Sequence, residues 1–204
     1  MENPSAILYL IIGIGCLYLY RILKKKWNIT DEKKIILLPG RLTEWKGQEM
    51  FIEAISLLKK NLSEIEFIAV ILGSDQGRKI YKKKLIRLVE QFRLTKQIRF
   101  IDHCKNMPLA YKISDIVVST SIEPEAFGRV AVESQAMGKP IIASNIGGSK
   151  ETVLNKKSGF LYKHDDPREL AKNLNTVIQL NQEELKLMGN EGRKNITKKF
   201  DVEV

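Results

Sequence analysis

Between Glu123 and Ser134 the sequence reads EPEAFGRVAVES, and two carboxylates, Glu125 and Glu133, stand eight positions apart with Phe127, Gly128 and Arg129 between them. A carboxylate accepts pairs of hydrogen bonds from vicinal hydroxyls, as on a ribose or a hexose. Eight residues at helical pitch turn about 80° past two full turns, so both acids can face the same cleft. Glu125 would lie in the loop at the sheet edge, Phe127, Gly128 and Arg129 would open the helix, and Glu133 would fall one to two turns into it. The unpaired N–H groups and positive dipole end of a helix start favour an anion. The acids also fit plainer roles, an acid favouring the helix dipole at Glu125 and a solvated side chain at Glu133.

A second turn, PGRLTEWKG (39–47), carries Arg41 and Lys46 after an apolar run. Together they could clamp a diphosphate, Arg through its planar fork and Lys as a point charge. Gly40 and Gly47 would let the backbone come close. Gly-x-x-x-x-Gly-Lys-Ser/Thr is absent, so this is not a Walker loop, and taken alone the turn also fits a charged surface loop. A third turn, SNIGGSKE (144–151), pairs Gly147 with Gly148. It serves either a tight backbone passage beside a ligand or a simple turn.

The elements around these turns alternate. Short apolar runs read as strands at 34–40, 66–73, 98–102, 115–121, 139–145 and 159–162. Segments with apolar residues at helical spacing lie between and after them, at 47–60, 79–94, 107–114, 128–138, 149–155, 167–180 and 181–200. Six strands alternating with helices predict a doubly wound, Rossmann-like α/β domain with a six-stranded parallel sheet and helices on both faces. Ligands of such sheets bind beyond the carboxyl ends of the strands. The three turns all fall on that edge.

The chain has 204 residues, room for one ordinary domain with a core. Apolar residues make up 44% and charged residues 28%, which excludes bulk disorder. The formal net charge of +10 suits phosphorylated ligands, anionic lipid or nucleic acid, or simply a solvated Lys-rich surface. The lysine runs at 24–26 and 82–84 have few aromatics among them, which disfavours a nucleic-acid platform. Two cysteines, Cys16 and Cys104, and two distant histidines, His103 and His164, form neither a disulfide framework nor a metal spacing, so no metal is expected.

Residues 1–26 stand apart from 27–204. Asn3 to Tyr20 is an uncharged, largely apolar run, followed by Arg21 and Lys24–Lys26. Its length is borderline for a spanning helix, which needs about 17–25 apolar residues. The charges follow the apolar run, which argues against a secretory signal. The expectation is an apolar N-terminal helix acting as a membrane anchor, with the remaining chain at the cytoplasmic face; the alternative is a buried helix in a cytoplasmic protein.

Taken together, PGRLTEWKGQEMFIEA, VILGSDQG, VVSTSIEPEAFGRVAVESQAMGKPIIASNIGGSKETV and SGFLY resemble, in order and spacing, the C-terminal half of retaining GT-B group 1 glycosyltransferases, over about Trp27 to Leu180. The resemblance implies that Arg41 and Lys46 hold a nucleotide-sugar diphosphate and that Glu125 is the catalytic carboxylate, which contacts the transferred sugar and supports its developing positive charge. It implies that Glu133 binds the ribose hydroxyls and that Phe127, Gly128 and Arg129 cradle sugar and phosphate, with Gly40 in the donor loop. No metal or other cofactor is implied. The implied activity is transfer of a hexose, with retention, to a lipid-linked or surface-glycan acceptor, as in cell-envelope or lipopolysaccharide synthesis. Members of that family carry an N-terminal acceptor-binding domain of similar size. Only about 26 residues precede the match, so the expected form is a donor-binding half that pairs with a separate acceptor domain and an anionic membrane surface. The alternative is a non-catalytic nucleotide-sugar-binding or interaction module left by a truncated or split gene.

Overall fold

The computed structural model describes residues 18–200 except 31, 63 and 64. Six strands form one parallel sheet: β1 (Lys34–Pro39), β2 (Phe67–Leu72), β3 (Ile98–Ile101), β4 (Ile116–Ser119), β5 (Ile141–Ser144) and β6 (Gly159–Tyr162), in the order β3-β2-β1-β4-β5-β6. The helices are α1 (Gln48–Asn61), α2 (Lys79–Gln91), α3 (Met107–Ile113), α4 (Arg129–Ala136), α5 (Ser149–Thr152), α6 (Pro167–Ile178) and α7 (Gln182–Phe200). The six strands and seven helices expected from the sequence are all present, with ends shifted by a few residues.

The central strands are apolar without alternation because both faces are covered. All six residues of β2 are buried, as are five of the six in β1. On one face Ile36, Leu38, Ala69 and Ile71 pack against α1, α2 and α6 through Phe51, Ile55, Leu85 and Leu174. On the other, Ile35, Leu37, Ile68 and Val70 meet α3 and α4 through Tyr111, Ile113 and Ala131. Asp115, just before β4, sets the register with β1 by accepting from the Ile35 N–H at 2.8 Å. Strand order reverses at β1, which has β2 on one side and β4 on the other. In an open sheet of this kind the loops leaving β1 and β4 part there and open a crevice.

The two C-terminal helices are capped by their own sequence. The Asp166 carboxylate accepts from the N–H groups of Arg168 and Glu169, and Pro167 follows as the first helical residue. Before α7, Asn181 accepts from the N–H groups of Glu183 and Glu184, and the Glu184 carboxylate takes the Asn181 N–H in return.

Residues 18–26 are helical. Leu23, Trp27 and Ile29 are buried against the β1 and β2 side chains of the second face. Tyr18, Leu19 and Ile22 are exposed. The expected apolar helix falls mostly on residues 1–17, outside the described residues. Among the described residues no helix is long and apolar enough to cross a membrane.

Helix α7 crosses the turn after α4 at Gly189. A Cβ built there would lie 1.9 Å from the Gly138 carbonyl oxygen. In an open helix, Gly→Ala stabilises by about 1 kcal/mol. Here the added methyl overpacks a helix crossing, so Gly189→Ala should destabilise the fold by about 1–3 kcal/mol in urea unfolding. A stabilised variant would show that the crossing is loose.

Candidate functional site

The loops after β1 and β4 meet at the crevice. Residues Glu44–Lys46 form a single 3₁₀ turn and Gly47 closes it with a φ of 67°. Only glycine fits there, because a Cβ would stand 2.1 Å from the Thr120 carbonyl oxygen. Two hydrogen bonds stitch the loops together. Thr120 Oγ1 donates to the Lys46 carbonyl at 2.6 Å, and the Ile122 N–H donates to the Trp45 carbonyl at 2.9 Å. Behind them, Tyr81 donates to Gln48 Oε1 at 3.2 Å, and Gln48 Nε2 donates to the Arg41 carbonyl at 2.8 Å. Both Gln48 and Tyr81 are buried, so the Arg41 main chain rests on a fixed bond.

A hollow of about 370 Å³ opens here, and its lining includes Gly40, Arg41, Lys46, Glu125, Arg129 and Glu133. Six of the eight residues singled out from the sequence thus share one cavity. Three cationic side chains and two carboxylates face it. Lys46 Nζ lies 2.6 Å from Glu125 Oε1 and 4.4 Å from the centre of the Trp45 ring. The Ser121 hydroxyl also donates to Glu125 Oε1. The pair is mostly withdrawn from water, with side-chain exposures of 14% and 20%. Among the described residues Arg41 and Arg129 make no ion pair, and both are exposed. A larger open groove of about 930 Å³ runs along α7 past Leu180, Leu187 and Met188, but none of the eight residues lines it.

Two sequence-based expectations need correction. Helix α4 starts at Arg129, with Gly128 as its N-cap at a φ of 68° and Phe127 before it. Phe127 therefore is not a helical residue. Its half-exposed ring meets Phe200 edge-on, centroids 5.3 Å apart. Glu125 stands in the loop, where the sequence reading puts it, so helical pitch does not bring the two acids together. The loop does. The Gly148 N–H donates to the Glu125 carbonyl at 2.8 Å. At Gly147, a Cβ would sit 2.4 Å from that same oxygen. The paired glycines thus let the backbone pass close to the Glu125 loop. Gly128 is buried against Ser149 and does not line the hollow.

A profile described as "Glycosyl transferases group 1" matches residues 20–195. The chain belongs to that family. Among its relatives, a D-inositol 3-phosphate glycosyltransferase of Jonesia denitrificans is 31% identical over 147 residues, 71% of this chain and 34% of the relative. The structure of Anabaena HepE in complex with UDP and glucose matches with a TM-score of 0.77 at 26% identity, over 98% of this chain and 49% of that one. The C-terminal domain of a glycosyl transferase group 1 family protein (LpcC) from Francisella tularensis matches with a TM-score of 0.75 at 28% identity, over 88% of this chain and 93% of that one. This group 1 glycosyltransferase domain has a Rossmann-like sheet with GT-B-like structural neighbours. It spans about a third of the length of the curated relatives it matches.

Sequence reasoning missed Tyr111, Ser121 and Gln48. Tyr111 donates to Glu133 Oε2 at 2.7 Å and is 2% exposed. In MPLAYKIS it reads as an ordinary core residue, and only its hydroxyl betrays a second task. Ser121 stands two residues after β4, where the ligand edge of the sheet is the available signal. Among the described residues no group of three or more His, Cys, Asp or Glu side chains could hold a metal ion.

Burial pushes the phenols of Tyr81, Tyr111 and Tyr162 far above their ordinary 10.0, with the Glu133 hydrogen bond adding to the shift at Tyr111. The folded state then keeps protons that the unfolded chain gives up above pH 10.0. Stability must fall as pH rises past that point. Titration at 295 nm should show these three tyrosines ionising together with the loss of far-UV circular dichroism. Ionisation complete before any unfolding would contradict their burial.

Proposed function

We propose that this chain is the donor-binding, C-terminal half of a retaining glycosyltransferase that takes a hexose from a nucleotide diphosphate sugar. The observation that carries the reading is the single hollow at the β1/β4 crevice, where Arg41, Lys46 and Arg129 meet Glu125 and Glu133. Two acids alone would suit a cation, and three cations alone would suit any phosphate. Their mixture suits a ligand with a charged diphosphate flanked by two polyols. The diphosphate would lie on Arg41 and Lys46, the ribose hydroxyls on Glu133, and the transferred sugar beside Glu125. Similarity to HepE, solved with UDP and glucose, and to a free-standing C-terminal domain of the family supports this reading.

In transfer, negative charge builds on the leaving diphosphate as the glycosidic bond breaks, and positive charge builds on the sugar. Fixed cations next to the first and a carboxylate next to the second stabilise that separation without reorganising. Lys46 and Glu125 already sit in contact, so a donor entering the hollow would place its two developing charges on opposite partners of one ion pair. No metal is part of this proposal. The acceptor would be a lipid-linked or surface-glycan hydroxyl presented by a separate acceptor-binding domain at the cytoplasmic face of an anionic membrane.

Isothermal calorimetry with UDP-sugars and GDP-sugars tests the reading directly. At least one should bind, and no heat beyond dilution with any of them would defeat it. Glu133→Ala should weaken that binding by about 1–3 kcal/mol through lost charged hydrogen bonds. Glu125→Gln should leave nucleotide binding within about threefold while abolishing sugar transfer once an acceptor domain is supplied. Full transfer by that variant would remove Glu125 from the chemistry.

A further inference from the structure

Glu133 projects from an exposed part of α4, yet its carboxylate is held from behind. Tyr111 Oη donates to Glu133 Oε2 at 2.7 Å. The tyrosine cannot follow its partner into solvent. It sits on α3, which is fixed at both ends: Asn106 accepts from the Leu109 N–H at 3.0 Å, and Ser114 Oγ donates to the Tyr111 carbonyl at 2.7 Å. It belongs to the second buried apolar cluster, with Ala110, Ile113 and Ala131. The other oxygen, Oε1, accepts no hydrogen bond among the described residues, and Glu133 lines the hollow.

We infer that Tyr111 is a positioning residue for Glu133: it clamps one carboxylate oxygen so that the other is presented to the ribose hydroxyls of the donor. This rests on the donor-binding reading above. Unclamped, a glutamate on an exposed helical turn samples several rotamers, and fixing one of them on binding costs affinity. The clamp meets that cost during folding. The raised pKa of the phenol, due first to burial and then to Glu133, keeps the proton in place, so the hydroxyl remains a donor wherever the fold persists.

The inference separates a ribose effect from a general one. Calorimetry would compare UDP with 2′,3′-dideoxy-UDP, or GDP with its dideoxy form if UDP does not bind. Tyr111→Phe keeps the ring and removes only the hydroxyl. It should weaken ribonucleotide binding about 5–30-fold and change dideoxynucleotide binding by less than about twofold. Adding Tyr111→Phe to Glu133→Ala should cost nothing further, the mark of two residues acting as one. If Tyr111→Phe fails to fold, Glu133→Asp withdraws the carboxylate from the tyrosine on an exposed side chain and should show the same loss of ribose preference.

An intact preference for ribose in Tyr111→Phe, or in Glu133→Asp where the first variant is unfolded, overturns this inference and leaves the donor reading standing. Equal weakening for ribo and dideoxy forms overturns it as well, because that pattern marks a merely structural role. Failure of wild-type protein to bind either nucleotide overturns the donor reading and this inference with it.

Discussion

Lys46 and Glu125 meet at 2.6 Å, though 79 positions separate them in the chain. What brings them together is the reversal of strand order at β1. With β2 on one side and β4 on the other, the loop leaving β1 and the loop leaving β4 face each other across a crevice. Two glycines allow the close approaches: Gly47 of the β1 loop against Thr120, and Gly147, in the loop after β5, against Glu125. The ion pair is a weak argument for stability, because withdrawing two charges from water costs about as much as their attraction returns. Its significance is positional. A cation and a carboxylate are held side by side in the lining of the hollow, where a ligand with separated charges could lie against both.

The surroundings fit that constraint. Trp45 covers the Lys46 ammonium with its ring face, and Ser121 takes up further hydrogen-bonding capacity of the Glu125 carboxylate. On the flanks, two buried tyrosines act at a distance. Tyr81 holds Gln48, which holds the Arg41 carbonyl, and Tyr111 holds Glu133. Arg41 and Arg129 are left exposed and without ion pairs among the described residues. The frame of the hollow is thus tied by buried hydrogen bonds, while the Arg41 and Arg129 side chains stay open to solvent.

The parallel sheet was legible because its strands are buried on both faces and therefore read as unbroken apolar runs, FIAVIL in β2 being the clearest. The turns were legible because a parallel sheet gathers its strand-end loops on one edge, and the glycines and charged residues fall in those loops. Local helix geometry was less legible. Glu125 was legible as a loop residue, but the helix was expected from Phe127, and a left-handed Gly128 starts it at Arg129, so the spacing of the two acids is set by a loop anchored at Gly148 and not by helical pitch. Side chains that act through others were not legible at all. Tyr111 and Gln48 are buried at apolar-looking or helix-start positions, and their hydroxyl and amide partners belong to other elements. The expected membrane helix falls mostly on residues outside those described.

The central physical claim is that the β1 and β4 loops are one binding site for a nucleoside diphosphate. Hydrogen exchange of the full chain, with and without saturating UDP or GDP, measures it most directly. Peptides covering 40–48 and 121–134 should gain protection together, while those at the opposite edge of the sheet, around 112–116 and 138–141, should not change. Protection confined to one loop, or appearing instead along α7, would contradict a shared site at the strand crossover.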